Sequence, residues 1–301
     1  MDSESSTAVP RPSQTHEALP FKGLKAFKQR GIVPTAIPRY LYHTMGPASM
    51  THVTKTVKPN EVWIRSQDAA EWKENSMMDL FDRSDVEAVA EMIHRHSSSG
   101  MGVGKDNLVP WTSSLVTALV IVSRIRAKHD ADRDEVGLAI IDTTAFPPDT
   151  FICNKDLIHG FAKHKDSLRS LGGIDQGMYV HQGALRIDGR CDVISLDDME
   201  RKGLSALWSG KSGVLVWGEG EEIDRRRVKF RRASTISELP TTTQEELNAA
   251  NAIAALFREQ FKLPTAAALL ALSPRRRSDS AIVGFFRPPT FSGALDQVCP
   301  S

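Results

Sequence analysis

The stretch from residue 108 to 147 constrains the fold more than any other part of the chain. It holds LVPWTSSLVTALVIVSRIRA (108–127) and then VGLAIIDTTAFP (136–147). The first block opens as an extended segment that Pro110 and Thr112 bring to an end, so a helix is expected to start near Ser113 or Ser114, where a hydroxyl can cap it. That helix is apolar on most of its faces and has to be buried on most sides. The second block is a short apolar run closed by proline, which suits a strand covered on both faces. A buried helix beside a buried strand requires a layered core with further elements around it.

Those further elements can be read along the chain. IPRYLYHT (37–44) alternates in strand fashion at Tyr40 and Tyr42 and is the first expected core strand. SDVEAVAEMIHRH (84–96) places Ser84 and Glu87 at capping-box spacing and Val86, Val89, Ala90 and Ile93 on one face, which predicts an amphipathic helix. In GMYVHQGALRIDGRCDVISLDDMERKGLSALW (177–208), Gly183 and Gly189 punctuate short strands, and Ser195 is expected to cap a short helix stopping near Gly203. A last helix is predicted over 244–261, introduced by Thr243 and Glu246. The resulting class is α+β (mixed α/β), a single domain with a central mixed sheet flanked by helices. Residues 1–20 and 273–301 have the composition of disordered tails, 21–218 form the α/β body, and 219–272 hold an acidic and basic segment followed by the C-terminal helix.

Charge narrows the function classes. Lysine plus arginine number 38 and aspartate plus glutamate 37, so no global field drives the molecule onto nucleic acid or membrane, and any such contact has to be local. No apolar run reaches the length of a membrane span and the N-terminus lacks the pattern of a signal peptide, which makes the cytoplasm the expected address. Cys153, Cys191 and Cys299 are odd in number and widely spaced, which predicts free thiols and no zinc site.

Several motifs invite a chemical reading. GMGVGK (100–105) has the look of a phosphate loop, but Ser99 stands where glycine is needed and Asp106 where Ser or Thr is needed, leaving a turn. His94 and His96 are two apart on a helix and face different ways, against shared metal ligation. Thr112, Ser113 and Ser114 place three hydroxyls at a strand-to-helix junction, where they can cap the helix, support a nucleophile or bind an anion. Asp197, Asp198 and Glu200 form the densest carboxylate group of the body, suited either to the dipole at a helix start or to holding a guanidinium. In RRRVKFRR (225–232), Arg225, Arg226, Arg227, Lys229, Arg231 and Arg232 make a footprint fit for a phosphate backbone, or a solvated partner of the acidic run before it.

The blocks LVPWTSSLVTALVIVSRIRA, VGLAIIDTTAFP and GMYVHQGALRIDGRCDVISLDDMERKGLSALW together resemble a broad group of fungal proteins, over roughly residues 36–210. Some features of that group are similar to the ADP-ribosyltransferase fold, in which a first-strand Arg or His, a hydroxyl-rich strand and a late glutamate surround NAD. The resemblance implies Arg39 or His43 for the first, Thr112–Ser114 for the second and the vicinity of Met178 for the third. At that last position Gln176, Gly177 and Met178 stand in place of the glutamate.

The chain also resembles the fungal arginine-containing cyclodipeptide synthases, which join arginyl-tRNA and a second aminoacyl-tRNA into a cyclo(Arg-Xaa) diketopiperazine. That family carries a D-D-x-x-E motif; here Asp197 and Asp198 are followed by Glu200, one position early. This resemblance implies Asp197, Asp198 and Glu200 holding the arginyl group, Ser113 or Ser114 as acyl acceptor or oxyanion-side donor, and Arg39, His43 and Thr112 lining the substrate site. It further implies tRNA on the 225–232 segment, aminoacyl-tRNAs as partners rather than DNA or membrane, and no cofactor or metal. This synthase reading leads. An NAD-binding ADP-ribosyltransferase-like protein, with or without activity, and a non-enzymatic RNA-interaction module are the alternatives.

Overall fold

The computed structural model describes residues 18–24, 27, 33–46, 52–55, 62–98, 106–129, 135–171, 177–207, 241–273, 275 and 279–287. In chain order the strands are β1 (Tyr40–Met45), β2 (His52–Lys55), β3 (Val62–Arg65), β4 (Leu108–Thr112), β5 (Gly137–Asp142), β6 (Ile152–Cys153), β7 (Met178–Gln182), β8 (Ala184–Arg186) and β9 (Cys191–Ser195). The helices are α1 (Gln67–Ala70), α2 (Val86–Ser98), α3 (Leu115–His129), α4 (Asn154–Phe161), α5 (Asp166–Leu171), α6 (Leu196–Arg201), α7 (Leu204–Leu207), α8 (Gln244–Ala254), α9 (Glu259–Leu270) and α10 (Ser280–Phe285). The class is α+β. A six-stranded sheet runs β6-β7-β4-β1-β5-β9 and a three-stranded sheet runs β2-β3-β8. Where a mixed sheet was expected, every pairing among the described residues is antiparallel.

Strand alternation divides the core into two layers. On one face of the large sheet Tyr42, Leu138 and Ile140 pack against α3, α6, α8 and α9, and beside them Leu108, Ile152 and Val180 pack against α2 and α4. On the other face Leu41, Val109, Trp111, Ile141 and Tyr179 meet Ile64, Leu185 and Ile187 around the small sheet, together with Phe146 and Phe151 from a loop. The apolar helix α3 and the strand β5 sit in the middle of this arrangement, with Ala118, Val122, Ala139 and Ile140 fully buried. α8 and α9 share one apolar cluster with β1, β5 and α3, so the last helices belong to the same core as the α/β body.

Local start signals differ in how well they mark the helices. The Ser195 hydroxyl accepts from the Asp198 amide at the start of α6, Gly203 follows it at φ 94°, and Thr243 with Glu246 closes a full capping box on α8. By contrast α2 begins at Val86, with the Asp85 carbonyl accepting the first helical amide, so Ser84 lies one residue outside the cap position. The helix predicted over 244–261 is two helices. The break comes where the Arg258 amide donates to Asp192 at 2.6 Å, leaving the helical ladder for a partner on β9.

The ordered body extends past both composition-based boundaries. Ala18 and Phe21 are buried, Leu19 bridges to Gln182, and the Gln182 amide donates to the Pro20 carbonyl at 3.1 Å, so residues 18–20 join the fold. Beyond Ser273, Arg275 grips Glu246 and Asp279 caps α10, whose Phe285 packs with Phe286 near Ala254 and Ala266. The fold thus continues past residue 273, where composition predicts a tail: apolar and ionic partners on α8 compensate the ordering entropy that composition alone leaves unbalanced.

Candidate functional site

Three adjacent strands bring a set of polar groups to one end of the large sheet. Thr112, the last residue of β4, sits opposite Tyr42 of β1 on one side and Met178 of β7 on the other. Arg39 immediately precedes β1, and Ser113 and Ser114 immediately follow β4, so all lie at the same rim. The hydroxyl-rich turn is held by backbone. The buried Thr112 hydroxyl donates to the Gly177 carbonyl at 3.2 Å and accepts from the Ser114 amide at 3.1 Å. The Ser113 amide also donates to Gly177, at 3.1 Å. Gly177 has φ 62°, and a Cβ there would stand 3.0 Å from the Ser113 hydroxyl oxygen. This crossing therefore suits glycine on both conformational and steric grounds. Ser114 caps α3 by accepting from the Thr117 amide at 3.3 Å, while Ser113 is exposed.

Beside the turn, Arg39 lies over the Tyr40 ring at 5.2 Å and donates from Nε to Asp142 at 3.0 Å. Asp142 also accepts from the Thr144 amide and hydroxyl, which closes β5 into a short 3-10 turn. Burial pushes the Tyr40 hydroxyl pKa up, and the neighbouring Arg39 charge opposes that rise. Further along the rim, Arg258 pairs with Asp192 and donates to the Cys191 carbonyl. Asp142 and Asp192 carry no distinguishing motif in the sequence. The only signal for Asp142 is its place before two threonines at a strand end, an Asx-type turn pattern.

His43 has a different fate from Arg39. Its side chain enters the layer between the two sheets, where Nδ1–H donates to the Pro110 carbonyl at 2.7 Å. It is 3% exposed, and burial lowers its pKa to about 4. A ring so enclosed cannot reach a ligand at the rim, so of the two first-strand candidates Arg39 is the accessible one.

The acidic group lies apart from this rim. Ser195, which caps α6, sits opposite Gly137, and Gly137 opposite Met45, whereas Thr112 sits opposite Tyr42. That is an offset of roughly 10 Å along the strands and 14 Å across them at usual spacings. Asp197 and Asp198 both pair with Arg201, and Glu200 pairs with Arg126 at 3.1 Å, about 16 Å down α3 from Leu115 by helical rise. The structure thus brings together Arg39, Thr112, Ser113, Ser114 and Met178, and places Asp197, Asp198 and Glu200 elsewhere. Arg225, Arg226, Arg227, Lys229, Arg231 and Arg232 lie outside the described residues.

Among the described residues no group of three or more His, Cys, Asp or Glu side chains is placed to hold a metal ion, and no helix is long and apolar enough to cross a membrane. The fold and rim define an α+β protein with a polar site at one sheet end. No family model, no curated protein and no solved structure matches the chain.

Proposed function

We propose that this rim is a dinucleotide site of the ADP-ribosyltransferase kind that binds without transferring. The observation that carries the reading is the register row Tyr42–Thr112–Met178, at the sheet end where Arg39 leads into β1, the hydroxyl turn leaves β4, and Met178 stands near the position where the resemblance implies a glutamate. The donor set fits binding: the Arg39 guanidinium is 43% exposed, suited to a diphosphate, and the exposed Ser113 hydroxyl suits a ribose or phosphate oxygen. It does not fit transfer. A thioether at Met178 offers neither a base nor a negative charge for the cationic ribose that develops when nicotinamide leaves.

Calorimetric titration with NAD and with ADP-ribose tests the reading. Binding is expected, and Arg39→Ala is expected to weaken it about ten- to a hundredfold, the value of a charge-assisted contact. Met178→Glu is expected to confer slow release of nicotinamide from NAD. Absence of binding heat with either ligand at millimolar concentration, together with no nicotinamide release by Met178→Glu, defeats the proposal.

One observation favours the arginyl-tRNA synthase reading instead. Asp197 and Asp198 jointly hold a guanidinium, that of Arg201, which is the grip an arginyl substrate would need. Under that reading the substrate displaces Arg201, and a host expressing the chain accumulates arginine-containing cyclic dipeptides. A metabolite profile without them removes this alternative.

A further inference from the structure

We propose that the buried stack of His43, Trp111 and His181 is an acid-labile latch that holds the three-stranded sheet against the six-stranded one. Trp111 lies between the two imidazoles, with ring centroids 5.1 Å from His43 and 5.9 Å from His181. All three side chains are enclosed, with exposures of 3%, 1% and 1% for His43, Trp111 and His181.

Hydrogen bonding fixes the protonation state of both rings. Indole Nε1–H of Trp111 donates to His181 Nδ1 at 2.8 Å, so that nitrogen must be bare and the proton of the neutral ring sits on Nε2. That Nε2 is buried and makes no hydrogen bond. The Ile64 main chain of β3 is near enough to favour the charged ring slightly, without bond geometry. His43 Nδ1–H is committed to the Pro110 carbonyl. A second proton on His181 would destroy the indole bond and bury a cation, and a second proton on His43 would bury another beside it.

What favours the charged rings is backbone, Pro110 for His43 and Ile64 for His181, and burial outweighs it at both. Among the described residues of the apolar interlayer cluster, Tyr179 on β7, Cys153 on β6 and Cys191 on β9 carry titratable side chains. Asp149 lies on the loop that supplies Phe146 and Phe151, and Arg190 lies over Phe146 at 5.5 Å, adding positive charge. On β3 and β8, Arg65 and Arg186 alternate with the inward Ile64 and Leu185 and so take the outer face. Burial therefore dominates, and it lowers the pKa of His43 to about 4 and that of His181, further depressed by His43, to about 3.

The route to water decides which part gives way. Behind the rings stands the large sheet, backed by helices with their own apolar clusters. In front stand β3 and β8, of four and three residues. Lifting that small sheet hydrates His181 Nε2 while leaving the helix-backed clusters behind the large sheet intact, a local opening of the kind low-stability units undergo.

The sign follows from linkage. Both folded pKa values lie below the ordinary value near 6.5, so the opened form takes up protons first. The stabilisation is present above about pH 6.5 and is lost as pH falls towards 4. From pH 7 to pH 5 the opening constant is expected to rise about 20-fold for each ring released and several-hundredfold for both.

Amide exchange of the full chain at pH 7 and pH 5, corrected for intrinsic rates, tests the latch. Segments covering β3 and β8 are expected to lose protection by at least 20-fold while α3 retains its own, and His181→Gln, whose carbonyl can still accept from Trp111, is expected to lessen that pH response. Histidine C2 exchange on the unaltered protein reads both rings directly, should that variant fail to fold. A pH response undiminished in a folded His181→Gln, equal loss of protection in α3, or C2 titration of both rings near 6.5 overturns the proposal.

Discussion

Arg275 provides the sharpest test of how the C-terminal segment is attached. Its guanidinium donates twice to Glu246, from Nη1 at 3.0 Å and Nη2 at 2.6 Å, and the two side chains are only 8% and 13% exposed. Burial by itself would push the Glu246 carboxyl pKa up; the Arg275 bonds and the Thr243 amide outweigh it and hold the group below the usual carboxylate value. Arg275→Met keeps most of the apolar stem but leaves that carboxylate without its cation. Breaking a buried pair on one side costs about 3 to 5 kcal/mol, and because Glu246 keeps its bonds from Thr243 the lower end, about 3 kcal/mol, applies here. In a domain of this size that corresponds to a melting temperature lower by roughly 6 to 12 °C. Urea denaturation of Arg275→Met, Glu246→Gln and the double variant measures it, and the double is expected to lose less than the sum of the singles. Since the carboxyl pKa is depressed in the fold, its contribution is present above the unfolded value of 4.5 and fades as pH falls below it, so the gap between wild type and Arg275→Met should narrow in acid. A variant within about 0.5 kcal/mol of wild type, the normal range for exposed positions, would refute the reasoning and return the residues after Ser273 to the status of a dispensable tail.

Two other substitutions bear on the site and its neighbour. Ser195→Ala removes the cap of α6 and should cost about 1 kcal/mol in chemical denaturation, with the strand pairing of β9 retained. Gly177→Ala forces a side chain into the left-handed region and against the Ser113 hydroxyl; a loss of about 1 to 3 kcal/mol is expected, with weakened binding at the rim, and a neutral outcome in both measurements would show that the turn is not under this constraint.

What the sequence determined by itself is what short-range chemistry controls. The strand of Tyr40, Leu41 and Tyr42, the apolar helix after Ser114, the buried strand of Ile140 and Ile141, and the starts of α6 and α8 all rest on alternation, apolar periodicity or a hydroxyl at a cap. Each of those acts within a few residues and needs no partner from elsewhere. The hydroxyls of Thr112–Ser114 could be singled out for the same reason, as a strand-to-helix junction. Tertiary structure decided everything that depends on a distant partner. Asp192 on β9 accepts the Arg258 amide where the second of the last two long helices begins, and Glu246 recruits Arg275 from a stretch whose composition reads as disordered. The strand order sets Arg39 and Met178 beside Thr112 but carries Asp197, Asp198 and Glu200 to another part of the molecule. His43 and Arg39, four residues apart in the chain, end in opposite environments because His43 stands mid-strand on the face covered by the small sheet, whereas Arg39 precedes the strand and stays at the open end of the large sheet. Pairing register and layer packing are long-range properties, and no local pattern around either residue encodes them.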